Sequence, residues 1–271
     1  MRNIILAHET DFEGWRAHAR SLRAAAIPPD FVEWGLGEPE QGLLPTEQPA
    51  PPKPRPGHKE IRVPRAFLDL ARLTILHSDP RRFGLLYGLL WRITRDQSGL
   101  LLDLSDPVMR LARDMARAVF RDMHRMQGFT RFRQVVQGRE RGDGQNDGRS
   151  DEQNDLNRVY LAWYEPEHHI VEDVAPFFAR RFGQTPWAIL TPRRSVWSDT
   201  QGLRFGPGTC KPPETPDGLE DLWRAYYSAA FIPARSNPEL LGSLMPAKYR
   251  RNLPEAREIP RLLDQAKKMG A

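Results

Sequence analysis

The chain has 271 residues, 39% of them hydrophobic and 28% charged, enough to bury a sizeable core as one large or two modest domains. Forty Lys and Arg against 35 Asp and Glu leave a formal charge of +5, and this modest, mostly arginine excess permits a nucleic-acid partner without demanding one. The single cysteine, Cys210, excludes an internal disulfide and any multi-cysteine cluster within the chain, and no apolar run approaches the roughly 20 residues that cross a bilayer.

Residues 4–7 read as a short strand, 11–26 as a helix and 31–34 as a second strand after Pro28-Pro29, a βαβ-like start. That apolar opening is too short for a signal-peptide core, so a soluble cytoplasmic protein with no membrane contact is expected. Residues 36–60 are rich in Pro, Gly, Glu and Gln and read as an extended surface connection. Two helices are expected over 64–77 and 81–95, the second apolar nearly all round, with Gly84 and Gly88 placed for a close backbone approach.

The longest periodic stretch begins at Asp106, a helix cap, with Pro107 at the first helical position. Val108, Leu111, Ala112, Met115, Val119, Met123 and Met126 recur at helical spacing, which predicts a core-facing stripe ending near Gly128. Arg110, Arg113, Arg117, Arg121 and Arg125 share the opposite side. Such a stripe suits phosphate neutralisation and equally suits a solvated face. A β-prone run, Phe129-Thr130-Arg131-Phe132-Arg133, follows at once.

Residues 137–157 read as a long loop joining this strand to another over 160–164. A helix is expected from Asp173 to Phe182, then strands over 187–191, 195–197 and 203–205, a helix over 219–230 and a proline-broken helical tail. Together these elements predict one α+β domain: an antiparallel sheet packed with helices (128–271), a helical block (61–127), the 36–60 connection and the βαβ-like start (1–35).

Three constellations carry candidate chemistry. His168, His169 and Glu172, in Glu165-Pro166-Glu167-His168-His169-Ile170-Val171-Glu172, are the densest set of acids and bases. They suit acid–base catalysis, simple hydrogen bonding or, if the stretch were helical, a shared metal, an option that Pro176 weakens. Arg193, Arg194 and Ser195 lie between strands, where a loop can present donors to phosphates. Lys248, Tyr249, Arg250, Arg251 and Asn252 combine charge, an aromatic surface and an amide, as single-strand binders do. With Arg117, Arg121, Arg131 and Arg133 they make up the candidate nucleic-acid contacts. Nucleotide-cradling glycine loops and nucleophile-elbow motifs are absent, and no cofactor or resident metal is expected.

Several runs resemble one uncharacterised family of bacterial proteins labelled only by a tie to DNA metabolism. The matching words are Met126-Gln127-Gly128-Phe129-Thr130-Arg131-Phe132-Arg133, the Glu165–Glu172 run above, Ala175-Pro176-Phe177-Phe178-Ala179-Arg180-Arg181-Phe182, Trp187-Ala188-Ile189-Leu190-Thr191-Pro192 and Met245-Pro246-Ala247-Lys248-Tyr249-Arg250-Arg251-Asn252. Where relatives read Trp-Asp-Gly, this chain reads Trp197-Ser198-Asp199. The resemblance implies a domain found alone beside a radical SAM protein of DNA repair, or fused to a uracil-DNA glycosylase-like domain. It therefore implies a DNA-binding accessory protein in DNA repair or base modification, with DNA and that radical SAM or glycosylase-like protein as partners. The alternative from the residues alone is a nucleobase- or nucleotide-processing enzyme using His168, His169 and Glu172 as acid–base groups.

Overall fold

A computed structural model describes residues 1–37, 52, 54–56, 61–95, 98–136, 158–199 and 202–211. The expected helix over 219–230, the tail and the loop over 137–157 lie outside the described residues. The chain divides into two compact units, Met1–Asp122 with Glu167–Ile170, and Met123–Pro166 with Val171–Ala271.

The first unit opens with strand β1 (Arg2–Leu6), helix α1 (Phe12–Ala24) and strand β2 (Val32–Leu36), the strands paired in parallel from Arg2 opposite Val32 to Leu6 opposite Leu36. The expected βαβ start is therefore present. Asp11 caps α1 by accepting from Gly14 N at 2.8 Å. At its other end Ala26 takes the left-handed conformation (φ 54°), and Ala26 N and Ile27 N donate to Arg23 O and Leu22 O, a Schellman closure built without the usual glycine. Trp15, Ala19 and Leu22, one helical face of α1, are buried against α2 (Arg65–Ile75) and α3 (Arg82–Ile93). As expected, α3 is buried along most of its length, through Phe83, Leu86, Tyr87, Leu89, Leu90 and Ile93. Its glycines do not serve close packing: a Cβ at Gly88 would meet open space and one at Gly84 only an ordinary contact with Trp34.

Arg82 is buried in this core and paired with backbone instead of a carboxylate. Its guanidinium donates to Ile75 O (2.7 Å), Asp79 O (3.1 Å) and Glu9 O (3.1 Å), closing the C-terminal end of α2 onto the loop after β1. Desolvation lowers its pKa to about 10, so it stays charged at neutral pH.

Helix α4 (Pro107–Phe129) has the expected cap: Asp106 accepts from Met109 N at 2.8 Å and from Arg92 at 2.5 Å. Its buried positions are Met109, Ala112, Met115, Ala116, Val119, Asp122 and Met126. Val108 and Leu111, expected in the stripe, are exposed, because the core lies one residue further round the helix than the apolar spacing alone suggests. The helix ends near Gly128, as expected. It runs through Phe129, and Thr130 ends it by donating from N and Oγ1 to Met126 O at 3.2 and 2.5 Å.

The second unit is a five-stranded sheet in the order β3 (Phe132–Val136), β4 (Arg158–Trp163), β5 (Trp187–Leu190), β6 (Arg194–Asp199), β7 (Gly202–Pro207). Its α+β character is as expected, but the sheet is mixed: β4 and β5 are parallel, the other pairs antiparallel. Helix α5 (Val171–Phe182) returns the chain to the starting end of β4 before β5 begins, which forces that parallel pair. It starts two residues before Asp173, so Glu172 and Asp173 lie in its acidic first turn, Arg180 and Arg181 in its last. Gly183, at φ 59°, closes its end.

Strand alternation then sorts the sheet. Phe132, Tyr160, Trp187, Val196 and Phe205 share one face by register. Aromatic contacts of Phe132 with Phe178 (5.4 Å) and Phe182 (4.6 Å), and of Trp187 with Phe178 (6.0 Å), place α5 on that face.

Candidate nucleic-acid interface and the histidine cluster

On the other face, register places Arg133 opposite Leu161, Leu161 opposite Ala188, Trp163 opposite Leu190, Ala188 opposite Trp197, and Trp197 opposite Arg204. Leu161, Trp163, Ala188 and Leu190 are half-buried, Arg204 is exposed, and Trp197 retains 36% of its surface. Gly206 explains how the Trp197 indole lies against the sheet: a Cβ there would fall 2.8 Å from its Cζ3. Trp163 is oriented by donating Nε1–H to Glu165 Oε1 at 2.9 Å. Two indoles on one sheet face with guanidinium groups at β3 and β7 make a surface that can stack bases and neutralise phosphates.

Arg131 precedes β3, half-buried, and donates to Gly128 O at 2.8 Å, holding the junction between α4 and the strand. Arg133, half-buried, is the strand residue on the face opposite α5. The turn between β5 and β6 is internally satisfied. Thr191 Oγ1 donates to Arg194 O (2.8 Å) and accepts from Arg194 N (3.1 Å), while Ser195, buried, accepts from Thr191 N at 3.4 Å. The chain after β7 crosses beneath this turn so closely that a Cβ at Gly208 would sit 2.0 Å from Pro192 O. Arg193 is exposed at the tip, whereas Arg194 pairs with Glu172 on α5 at 2.7 Å and lies 5.7 Å from the Phe205 ring centre. Arg194 and Ser195 thus serve the covered side and the turn, and Glu172 serves as the partner of Arg194.

In the first unit, Arg110, Arg117 and Arg121 are exposed on α4. Arg117 pairs with Asp114, and Arg113 donates to Leu101 O and Asp103 O, tying the 3-10 turn Ser98–Leu102 to the helix. Lys248, Tyr249, Arg250, Arg251 and Asn252 lie outside the described residues.

The histidine cluster is a polar knot inside the first unit. Asp122 is fully buried on α4, and one carboxylate oxygen accepts from Glu167 N (2.7 Å) and His168 N (3.0 Å). His168, 7% exposed, accepts through Nδ1 from Ser78 N at 3.3 Å, with Ser78 Oγ at 3.2 Å from the same nitrogen. His169 N donates to Leu76 O at 2.9 Å. The His168 ring stacks on His77 at 4.3 Å, and His77 Nδ1 accepts from Asp79 N at 3.0 Å. Burial lowers the His77 pKa, the Arg82 charge adds to this, and Asp79 opposes it. Residues 167–169 are a bend and the helix begins only at Val171, so His168 and Glu172 do not sit one helical turn apart. No group of three His, Cys, Asp or Glu among the described residues is arranged to hold a metal.

Asp122 and Ser78 escape a search for catalytic motifs. A signal for Asp122 is nevertheless present: it sits three residues after Val119 and four before Met126, a carboxylate at a core step of an amphipathic helix, where an unpaired charge would be prohibitive.

A family model for a domain of unknown function, DUF4130, matches residues 80–255. No curated protein and no solved structure matches the chain. Among the described residues no helix is long and apolar enough to cross a membrane.

Proposed function

The chain belongs to the DUF4130 family, and on that premise we propose that it is a DNA-binding accessory protein in DNA repair or base modification, acting with a radical SAM or uracil-DNA glycosylase-like partner. The observation that carries DNA binding is the sheet face opposite α5, where Trp163 and Trp197 lie between Arg133 and Arg204. Indoles on a pleated surface stack bases of any sequence, and guanidinium groups at its margins take phosphates bidentately. The partner assignment rests on the resemblance of the five quoted runs. It agrees with the single Cys210, since a radical SAM cluster needs several thiolates that this chain does not contain.

His168 accepts from Ser78 and Glu172 pairs with Arg194, which favours binding over acid–base chemistry as the leading reading. Fluorescence anisotropy with labelled single- and double-stranded oligonucleotides, titrated between about 50 and 200 mM salt, tests the proposal. Affinity is expected to fall steeply with salt. Absent or salt-independent binding overturns it.

A further inference from the structure

In the first unit, α1, α2 and the segment leading into α2 enclose a cleft of about 140 Å³. Its floor is apolar: Trp15, Ala19, Phe67 and Leu90 are buried, and Ile61, Val63 and Leu68 form half-buried walls. Two cations, Arg16 and Arg20, stand on α1 as part of its lining. Arg16 shares Glu13 with Arg72, at 3.2 and 3.5 Å. Arg20 is exposed and forms no ion pair among the described residues.

We propose that this cleft receives one leucine- or phenylalanine-sized side chain of a partner protein, in a segment whose flanking residues are acidic. The size fits such an anchor: an apolar cavity of about 150 Å³ takes up a benzene ring. Drug-sized ligands occupy pockets of roughly 300–1,000 Å³ with polar groups inside to orient them. Among its lining side chains the only polar groups are the two arginines and the indole N–H of Trp15, which is spent on Phe83 O at 3.2 Å. The same feature rules against a nucleobase, whose polar edge would be buried unpaired. An aliphatic or phenyl anchor brings no polar edge of its own. The rim then selects the flanks, since carboxylates meet Arg20 and the partly engaged Arg16, while basic flanks are repelled.

The test uses the full chain and fluorescein-labelled peptides read by polarisation. A peptide Asp-Glu-Asp-Phe-Glu-Asp is compared with one carrying Ser in place of Phe and one carrying Lys in place of every acid. The first is expected to bind with a dissociation constant below about 100 µM, the other two at least tenfold more weakly. Arg20→Glu, at an exposed position, is expected to weaken the first peptide at least tenfold with an unchanged thermal midpoint. Ala19→Met, filling the cleft from its floor, is expected to abolish binding in protein shown by circular dichroism to be folded. Equal binding of the Phe and Ser peptides, indifference to Arg20→Glu, no binding at about 1 mM peptide, or displacement of the peptide by an oligonucleotide would each overturn the proposal. The DNA reading stands or falls separately on the sheet-face measurements.

Discussion

The two units bury polar groups in opposite ways. In the first, charged side chains lie inside and are answered by backbone: Asp122 accepts from two main-chain N–H groups, and Arg82 donates to three main-chain carbonyls. In the second, the covered face of the sheet is an aromatic cluster, and the arginines stand at its margins or on the open face. A buried charge held by backbone groups fixes the path of the chain, whereas a guanidinium on the same sheet face as an indole adds charge to a surface that can stack bases. Unusual burial of charge therefore marks architecture in one unit, and ordinary exposure of charge marks the candidate interface in the other.

That contrast can be broken most directly at Asp122. Asp122→Ala leaves Glu167 N and the buried His168 N without their acceptor, and a loss of about 3 kcal/mol is expected in denaturant unfolding; Asp122→Asn, which keeps an acceptor oxygen, should lose about half as much. Arg82→Met removes the donor to three carbonyls and is expected to cost about 2 kcal/mol by the same measurement.

On the sheet the readout should switch from stability to affinity. Trp197→Ala is expected to weaken single-stranded DNA binding by about 1 to 3 kcal/mol, the range for loss of one stacked base. Arg133→Gln should reduce the slope of log affinity against log salt by about one. Neither should shift the thermal midpoint, and a large drop in it would move these residues to the architectural side.

A gentler probe is pH. Burial holds the His77 pKa below its ordinary value of 6.5, so below about 6.5 the unfolded chain binds a proton that the folded chain resists. Stability should be insensitive to His77 above that pH and fall as pH drops beneath it. His77→Gln should flatten this part of the profile. Smallest of all, Ala26→Gly relieves a left-handed alanine at the end of α1 and should raise stability by about 0.5 kcal/mol in thermal unfolding.

Much of the local structure was legible because its causes are local. Asp11, and Asp106 with Pro107, announce their helices within one turn, and the β3–β4 and β6–β7 pairs follow from β-prone runs around turn-forming segments. A boundary shifted at β3, which begins at Phe132 and not at Phe129, because α4 runs through Phe129 and Thr130 closes it. The candidate site was legible in part. Arg131 and Arg133 lie at the expected junction, but the indoles on the same sheet face as Arg133, Trp163 and Trp197, come from other strands.

The features written into neighbouring residues are therefore periodic and short-ranged: a βαβ start, an apolar α3, an arginine-faced α4 and an α+β composition. Only the long-range packing set β4 and β5 parallel, chose the N–H groups that Asp122 accepts from, turned Arg194 toward Glu172, and put Arg133 on a face with Trp197 and Arg204. The reason is distance along the chain. Asp122 finds its donors 45 and 46 residues away, and each strand's exposed side is set by where α5 lands, so no window of neighbouring residues contains the information.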